Sequence, residues 1–135
     1  VLDDVPLALP ALLRAEKLQK RAARVGFDWP DATQVLDKLE EEIGELRAEI
    51  AGGGKPARVA DEMGDLLFVL VNLARHLKVD PETALRGCNA KFERRFNFIE
   101  SLLAAEGRAP KDATLDEMEA LWLRAKAKER GTPGA

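Results

Sequence analysis

The chain has 135 residues, a third of them charged, and its 21 Lys and Arg against 24 Asp and Glu leave a formal net charge of -3. That length suits one domain, residues 1–135, with a real core; the acidic balance attracts neither a nucleic-acid polymer nor an anionic membrane, so neither is expected as a partner. One cysteine, Cys88, and one histidine, His76, exclude an internal disulfide and a Cys/His zinc cluster, and the expectation is a reducing, cytoplasmic setting.

Proline and glycine cluster at a few points between stretches rich in Ala, Leu, Glu, Lys and Arg, which predicts helices joined by short loops. The first helix is expected from about Pro6 to Val25, with Leu9, Leu12, Leu13 and Leu18 in a broken helical period and Gly26 as its stop. Phe27 to Pro30 form a turn. Asp31 is a good N-cap for a second helix that carries Leu36, Leu39, Ile43, Leu46 and Ile50 at spacings of three and four. Gly52, Gly53, Gly54, Lys55 and Pro56 end it. The third helix, about Ala57 to Leu77, is apolar around most of its circumference from Leu66 to Val71, the pattern of a helix buried on several sides. That run is far below the roughly 20 residues a membrane helix needs. Asp80 with Pro81 opens a fourth helix to about Glu106, closed by Gly107 and Pro110. Thr114 with Glu117 is a capping box for a last helix ending near Arg130, and residues 131–135 are expected to be a loose tail. Cys88 is expected to be a small core residue. The fold class is therefore all-α, a bundle of about five helices around a central antiparallel pair, and the apolar run Leu66 to Val71 suggests that it dimerises.

The informative feature is acidic. Glu42 and Glu45 on the second helix, and Glu62 and Asp65 on the third, are pairs of carboxylates three apart on one helix face. Glu45 lies nine residues before Gly54 and Glu62 eight after it. At about 1.5 Å rise per residue both stand roughly 12 to 13 Å from the turn, so in an antiparallel hairpin the pairs face each other. Two carboxylates about 5 Å apart repel by roughly 3 kcal/mol at an effective dielectric of about 20, and a bound cation removes that repulsion. All-oxygen ligands suit Mg²⁺ or Mn²⁺, while the lack of His or Cys argues against Zn²⁺.

An acidic helix face is most often simply a solvated face. Two details weigh against that here. Glu42 sits at the border of the Leu39, Ile43, Leu46 stripe, and Glu62 and Asp65 adjoin the most apolar stretch of the chain, where charges rarely stand without a partner. The nearby bases Lys38, Arg47 and Arg58 are fewer than the acids. Gly44 and Gly64, each inside a pair, cost helix stability of about 1 kcal/mol relative to alanine, which points to close approach of a helix or a ligand.

The motif E-x-x-E, a spacer, then E-x-x-D, present as Glu42, Glu45, Glu62 and Asp65, resembles that of MazG proteins of the all-α nucleotide pyrophosphatase superfamily. The similarity runs on through Arg21 to Trp29, Asp65 to His76 and Asn89 to Phe96, and covers about Pro6 to Arg130. The stretch Asp4 to Pro10 resembles the connector ahead of the C-terminal catalytic domain in two-domain members, and a start at Val1 fits a piece of a longer chain as well as a trimmed one. The resemblance implies hydrolysis of a nucleoside triphosphate to the monophosphate and pyrophosphate. The four acids would hold Mg²⁺, with Mn²⁺ as a substitute, and activated water would attack the α-phosphorus. It also implies phosphate and nucleotide contacts at Lys38, Lys91, Arg95 and Trp122; Arg58 stands where a lysine is common. Lys91 and Arg95, four apart, share a face and can neutralise a polyphosphate, and Trp122 offers a flat surface to a base, although core packing is the commoner fate of such a tryptophan.

Trp29 either shapes the nucleotide pocket or pins the first loop, the latter being favoured. Asn72 on a largely apolar helix needs a hydrogen-bond partner, from substrate or from a neighbour. His76 reads as a helix-end or surface residue. Two other classes compete with the enzyme. A non-catalytic module for dimerisation or regulation explains the apolar run and leaves the aligned acids unexplained. A di-iron bundle needs Glu-x-x-His pairs, and the residue three before His76 is Leu73.

Overall fold

Five α-helices and one 3₁₀ turn make up the computed structural model, which describes residues 1–131: α1 (Ala11–Arg24), α2 (Ala32–Ala51), α3 (Pro56–His76), α4 (Pro81–Ala105), the turn Pro110–Asp112, and α5 (Leu115–Gly131). No strand occurs among the described residues, so the chain is all-α. None of these helices is long and apolar enough to cross a membrane. Two units separate in the chain, Val1–Ala84 and the part from Leu85 onward.

The first unit is built on α3. α2 runs back along it as the other arm of a hairpin, joined through Gly52 to Lys55, and α1 packs against it as well. Gly53 and Gly54 take positive φ values of 108° and 60°, a backbone state that glycine adopts without steric penalty, which lets the chain reverse in so few residues. Asp31 caps α2 as expected, its carboxylate accepting from the Gln34 amide at 2.9 Å. Pro56 opens α3 at its first turn. Val5, Val35, Val69 and Val71 are the buried aliphatic residues of this unit.

Two expectations about it need correction. α1 starts at Ala11, not at about Pro6, because the ring of Pro10 disfavours the helical region for Leu9. Residues 1–10 instead form a strap of turns, anchored by buried Val5 and by a bidentate pair between Arg21 and Asp4 at 3.1 and 2.9 Å. Nor is α3 buried on several sides within the chain. Val69, Val71 and Asn72 are buried, whereas Leu67, Phe68 and Leu70 are 43% to 48% exposed.

In the second unit α5 carries the expected capping box, with Thr114 Oγ1 accepting from the Glu117 amide at 3.1 Å and Glu117 Oε1 accepting from the Thr114 amide at 3.2 Å. Ile99, Leu103 and Ala125 are buried. Cys88 is exposed, contrary to expectation: its turn of α4 has no buried residue, and nothing among the described residues covers it. Asp80 caps the start of α4 through the amides of Glu82 and Thr83, as its place before Pro81 predicts. Of the expected loose tail, Gly131 is the last helical residue, and 132–135 lie outside the described residues.

Candidate metal centre

α2 contributes Glu42 and Glu45, and α3 contributes Glu62 and Asp65. Glu42, Glu62 and Asp65 each bring one carboxylate oxygen within 4.8 Å of the others. Glu42 is 6% exposed and Glu62 is half-buried, while Asp65 faces solvent. One oxygen of Glu42 and one of Glu62, Oε2 in each, are buried with no hydrogen-bond partner among the described residues. That combination separates the cluster from an ordinary acidic surface. A buried acceptor without a donor is destabilising by about 1 to 3 kcal/mol, more when charged, and the gathered carboxylates repel one another besides. A cation relieves both at once. The donors are all hard oxygens, from two helices, with one open side at Asp65; such a set fits Mg²⁺ or Mn²⁺ and not Zn²⁺.

Glu45 is exposed and stands outside that group of three, yet it lies in the same field. The charge of Glu42 is the main influence raising its carboxyl above the ordinary range, followed by partial desolvation and the charge of Glu62. Lys38 balances one corner: its ammonium sits 3.1 Å from Oε1 of Glu42 and 3.3 Å from Oε1 of Glu41. The hydrogen bond to Glu42 leads in raising the Lys38 pKa, so the ammonium keeps its proton firmly. Lys38 thus satisfies one oxygen of Glu42 and leaves the other.

The remaining residues make contacts of their own. Arg58 is largely exposed and turns toward Glu49, 4.0 Å away, instead of toward the acids. Gly44 and Gly64 admit no close helix: a Cβ on either would meet nothing within 4 Å. Lys91, Arg95 and Trp122 belong to the second unit, where Lys91 is exposed one turn before Arg95 on α4. Arg95 donates to Oε2 of Glu129 through Nε at 3.1 Å and Nη2 at 2.9 Å, and its guanidinium lies 5.3 Å from the Trp122 ring centre. Trp122 also packs on Phe92, with centroids 5.6 Å apart. Trp122 thus packs against its neighbours in the second unit and is half-buried.

A second polar knot in the first unit joins Asn72 and His76, which the sequence singled out, to Asp28 and Arg75, which it did not. Asp28, in the turn after α1, accepts from Arg75 and pairs with His76 at 3.0 Å. Arg75 also donates to Oδ1 of Asn72 at 2.6 Å, which supplies the partner that Asn72 requires. Burial works to raise the Asp28 carboxyl, but the hydrogen bonds from Arg75 and His76 outweigh it and hold the group below its usual value. Gln19 of α1, buried beside this knot, donates to the Phe68 carbonyl at 2.9 Å. A polar residue seven after Leu12, on the apolar face of its helix, was the available signal for Gln19.

The family model of the MazG nucleotide pyrophosphohydrolase domain matches residues 31–98, the span holding α2, α3 and most of α4. The chain is similar to the nucleoside triphosphate pyrophosphohydrolase of Escherichia coli (strain K12), 49% identical over 129 residues, which is 95% of this chain and 49% of that protein. It is also similar to the nucleoside triphosphate pyrophosphohydrolase/pyrophosphatase MazG of Thermotoga maritima, 41% identical over 125 residues, 93% of this chain and 48% of that one. Similarity to the uncharacterized protein YabN of Bacillus subtilis (strain 168) is 46% over 130 residues, 96% of this chain and 27% of the relative. The chain spans about half the length of the first two.

Proposed function

The chain belongs to the MazG nucleotide pyrophosphohydrolase family, and from that premise we propose that it hydrolyses a nucleoside triphosphate to the monophosphate and pyrophosphate. The observation that carries this reading is the pair of orphaned buried oxygens on Glu42 and Glu62, within a cluster that Asp65 completes. Glu42, Glu62 and Asp65 would hold Mg²⁺, or Mn²⁺ in its place, with Glu45 as the fourth acid beside them. When bound, such an ion supplies Lewis acidity toward phosphate oxygens and makes water a better nucleophile near neutral pH.

The chain's own residues then divide the remaining work. Lys38 engages one oxygen of Glu42 and leaves the other available to the ion. Glu45, exposed beside the other three acids, is open to water and is offered as the group that takes its proton during attack at the α-phosphorus. Lys91, Arg95 and, less directly, Arg58 offer positive charge for the polyphosphate, and Trp122 offers an aromatic face to the nucleotide. We read the two units as parts of one catalytic domain acting in the cytoplasm, with neither nucleic-acid polymer nor membrane as partner.

The protein is further proposed to work as a homodimer. Leu36, Ile43 and Ile50, seven apart on α2, and Met63, Leu67 and Leu70 on α3 leave apolar stripes in solvent. A second copy of the same hairpin would bury both. This observation also favours a purely structural module, which predicts no turnover.

Product analysis tests the reaction. Purified protein is incubated with each nucleoside triphosphate and Mg²⁺, and pyrophosphate is resolved from orthophosphate, with Glu62→Gln in parallel. Monophosphate and pyrophosphate, lost in the variant and in EDTA, are expected. Orthophosphate and a diphosphate would move the cleavage to another bond; no turnover by folded protein would leave the structural module.

A further inference from the structure

Trp122, Ala125 and Glu129 follow one another on α5 at spacings of three and four and so share one face. That face is turned to α4: Ala125 is buried, Trp122 packs on Phe92, and Glu129 reaches Arg94 and Arg95. Both oxygens of Glu129 are engaged there. Oε1 accepts from Nε of Arg94 at 3.1 Å, and Oε2 accepts from Nε and Nη2 of Arg95 at 3.1 and 2.9 Å. The two arginines are not equivalent. The side chain of Arg94 is 60% exposed, whereas that of Arg95 is 13% exposed and carries its guanidinium over the Trp122 ring.

A long cationic side chain that is free in solution loses rotamer freedom when an anion immobilises it, and affinity falls by that amount. In Arg95 the loss is met on folding, because Glu129 fixes the direction of the planar fork and Trp122 fixes its plane. Glu129 occupies the Nε and Nη2 edge and leaves Nη1 for another acceptor. Its carboxylate stays charged, the hydrogen bond from Arg95 being the main influence that holds it below the ordinary range. Two guanidinium groups share that one carboxylate, so the corner keeps positive charge. Exposed Lys91, one turn before Arg95 on α4, adds to it. Attraction for a polyphosphate thus survives the ion pair.

We propose that Glu129 is a positioning residue for the substrate phosphates: it acts through Arg95, holding the guanidinium over Trp122 with Nη1 free to donate to a phosphate oxygen. The proposal rests on the pyrophosphohydrolase reading, which gives the phosphates to Lys91 and Arg95. Glu129 itself touches neither substrate nor metal. Two other roles lead to different results. A purely structural Glu129, tying α5 to α4, lowers stability on removal and leaves KM as it was. A Glu129 that competes with phosphate for the arginines lowers KM once it is removed.

A double-mutant cycle separates these outcomes: parent, Glu129→Gln, Arg95→Lys and the double variant, each assayed with Mg²⁺ and the nucleoside triphosphate that the parent turns over fastest. Glutamine keeps the size of Glu129 without its charge, and lysine keeps the charge of Arg95 without its fork. In Glu129→Gln, KM should rise about fivefold with kcat within about twofold, the scale of one side chain that the ligand must now immobilise. In the Arg95→Lys background the same change should move KM by less than about twofold, because the residue it acts through is gone. Were Glu129→Gln not to fold, Glu129→Asp, which keeps the charge on a shorter arm, takes its place with the same expected direction. An unchanged or lower KM in the folded variant, or an equal rise in both backgrounds, would overturn the assignment while leaving the reaction intact. Should the parent cleave no nucleoside triphosphate, the reaction falls and Glu129 is judged by binding alone. Inorganic tripolyphosphate is then titrated against Trp122 emission in a Trp29→Phe background. A change in emission whose midpoint moves about fivefold higher with Glu129→Gln would uphold the positioning role; no change, or the same midpoint, would dismiss it.

Discussion

Lys38 and Glu42 are joined at 3.1 Å, one turn apart on α2, and the bond engages one oxygen of a carboxylate whose other oxygen is buried and unpaired. Lys38 is thus a partial substitute for a cation. Removing it by Lys38→Met should lower stability in EDTA by about 1 kcal/mol, in line with a charge-assisted bond at a half-buried site. Added Mg²⁺ should then raise the melting temperature more in the variant than in the parent, because the acids it meets are less compensated. Thermal unfolding with and without Mg²⁺ measures this; equal shifts would show that Lys38 and the ion do not share Glu42.

Glu62→Gln keeps the shape of the side chain and removes one charge from the cluster. Without metal the variant should be at least as stable as the parent, since repulsion falls. Its Mg²⁺-dependent stabilisation should vanish, and turnover should fall by at least about a hundredfold. Calorimetry in EDTA and in Mg²⁺ gives the sign of each effect. A variant that loses stability in EDTA would mean that Glu62 has a structural partner.

The Asp28 knot predicts a pH dependence. Its carboxyl titrates below the ordinary 3.8 in the folded chain, so the unfolded chain takes up the proton first as pH falls. The stability from this group is complete above about 3.8 and is lost as pH drops through the lower folded value. Asp28→Asn should be less stable than the parent by about 1 to 3 kcal/mol at pH 7. The difference should shrink as urea midpoints are taken down through pH 3.8 and below. A gap that stays constant with pH would detach the group from acid unfolding.

Ile43 lies at the centre of the exposed stripe on α2, between Leu36 and Ile50. A charge there should be harmless to a monomer and prohibitive in an apolar interface. Ile43→Lys is expected to convert the proposed dimer to a folded monomer in sedimentation equilibrium. A parent already monomeric at micromolar concentration would remove the dimer from the proposal.

The caps at Asp31, Asp80 and Thr114 were legible because they depend on residues within one turn of the chain, and the acid cluster was legible because helical spacing and a short connector bring its members together. The start of α1 was misread for an equally local reason, the effect of Pro10 on Leu9. Other errors concern burial. The all-apolar run at Leu66 to Val71 implies cover on every side, but among the described residues half of that cover is missing, and Cys88 is likewise exposed. Asp28, Arg75 and Gln19 could not be joined from sequence, because their contacts link residues 47 to 49 apart and no periodicity marks them. Arg58, placed by similarity beside the nucleotide, turns to Glu49 at this position.

The glycine connector has a consequence for how this chain can vary. Each residue added to a helix turns its face by about 100°, so one residue inserted between Gly52 and Lys55, if absorbed into either helix, would swing one acid pair away from the other while leaving all four acids in place. Under the proposed reading, metal affinity is encoded in the length of a turn that carries none of the ligands. Surface loops ordinarily tolerate insertions well; this one acts as a gauge, and a library of connector lengths should retain folding far more often than it retains binding of Mg²⁺.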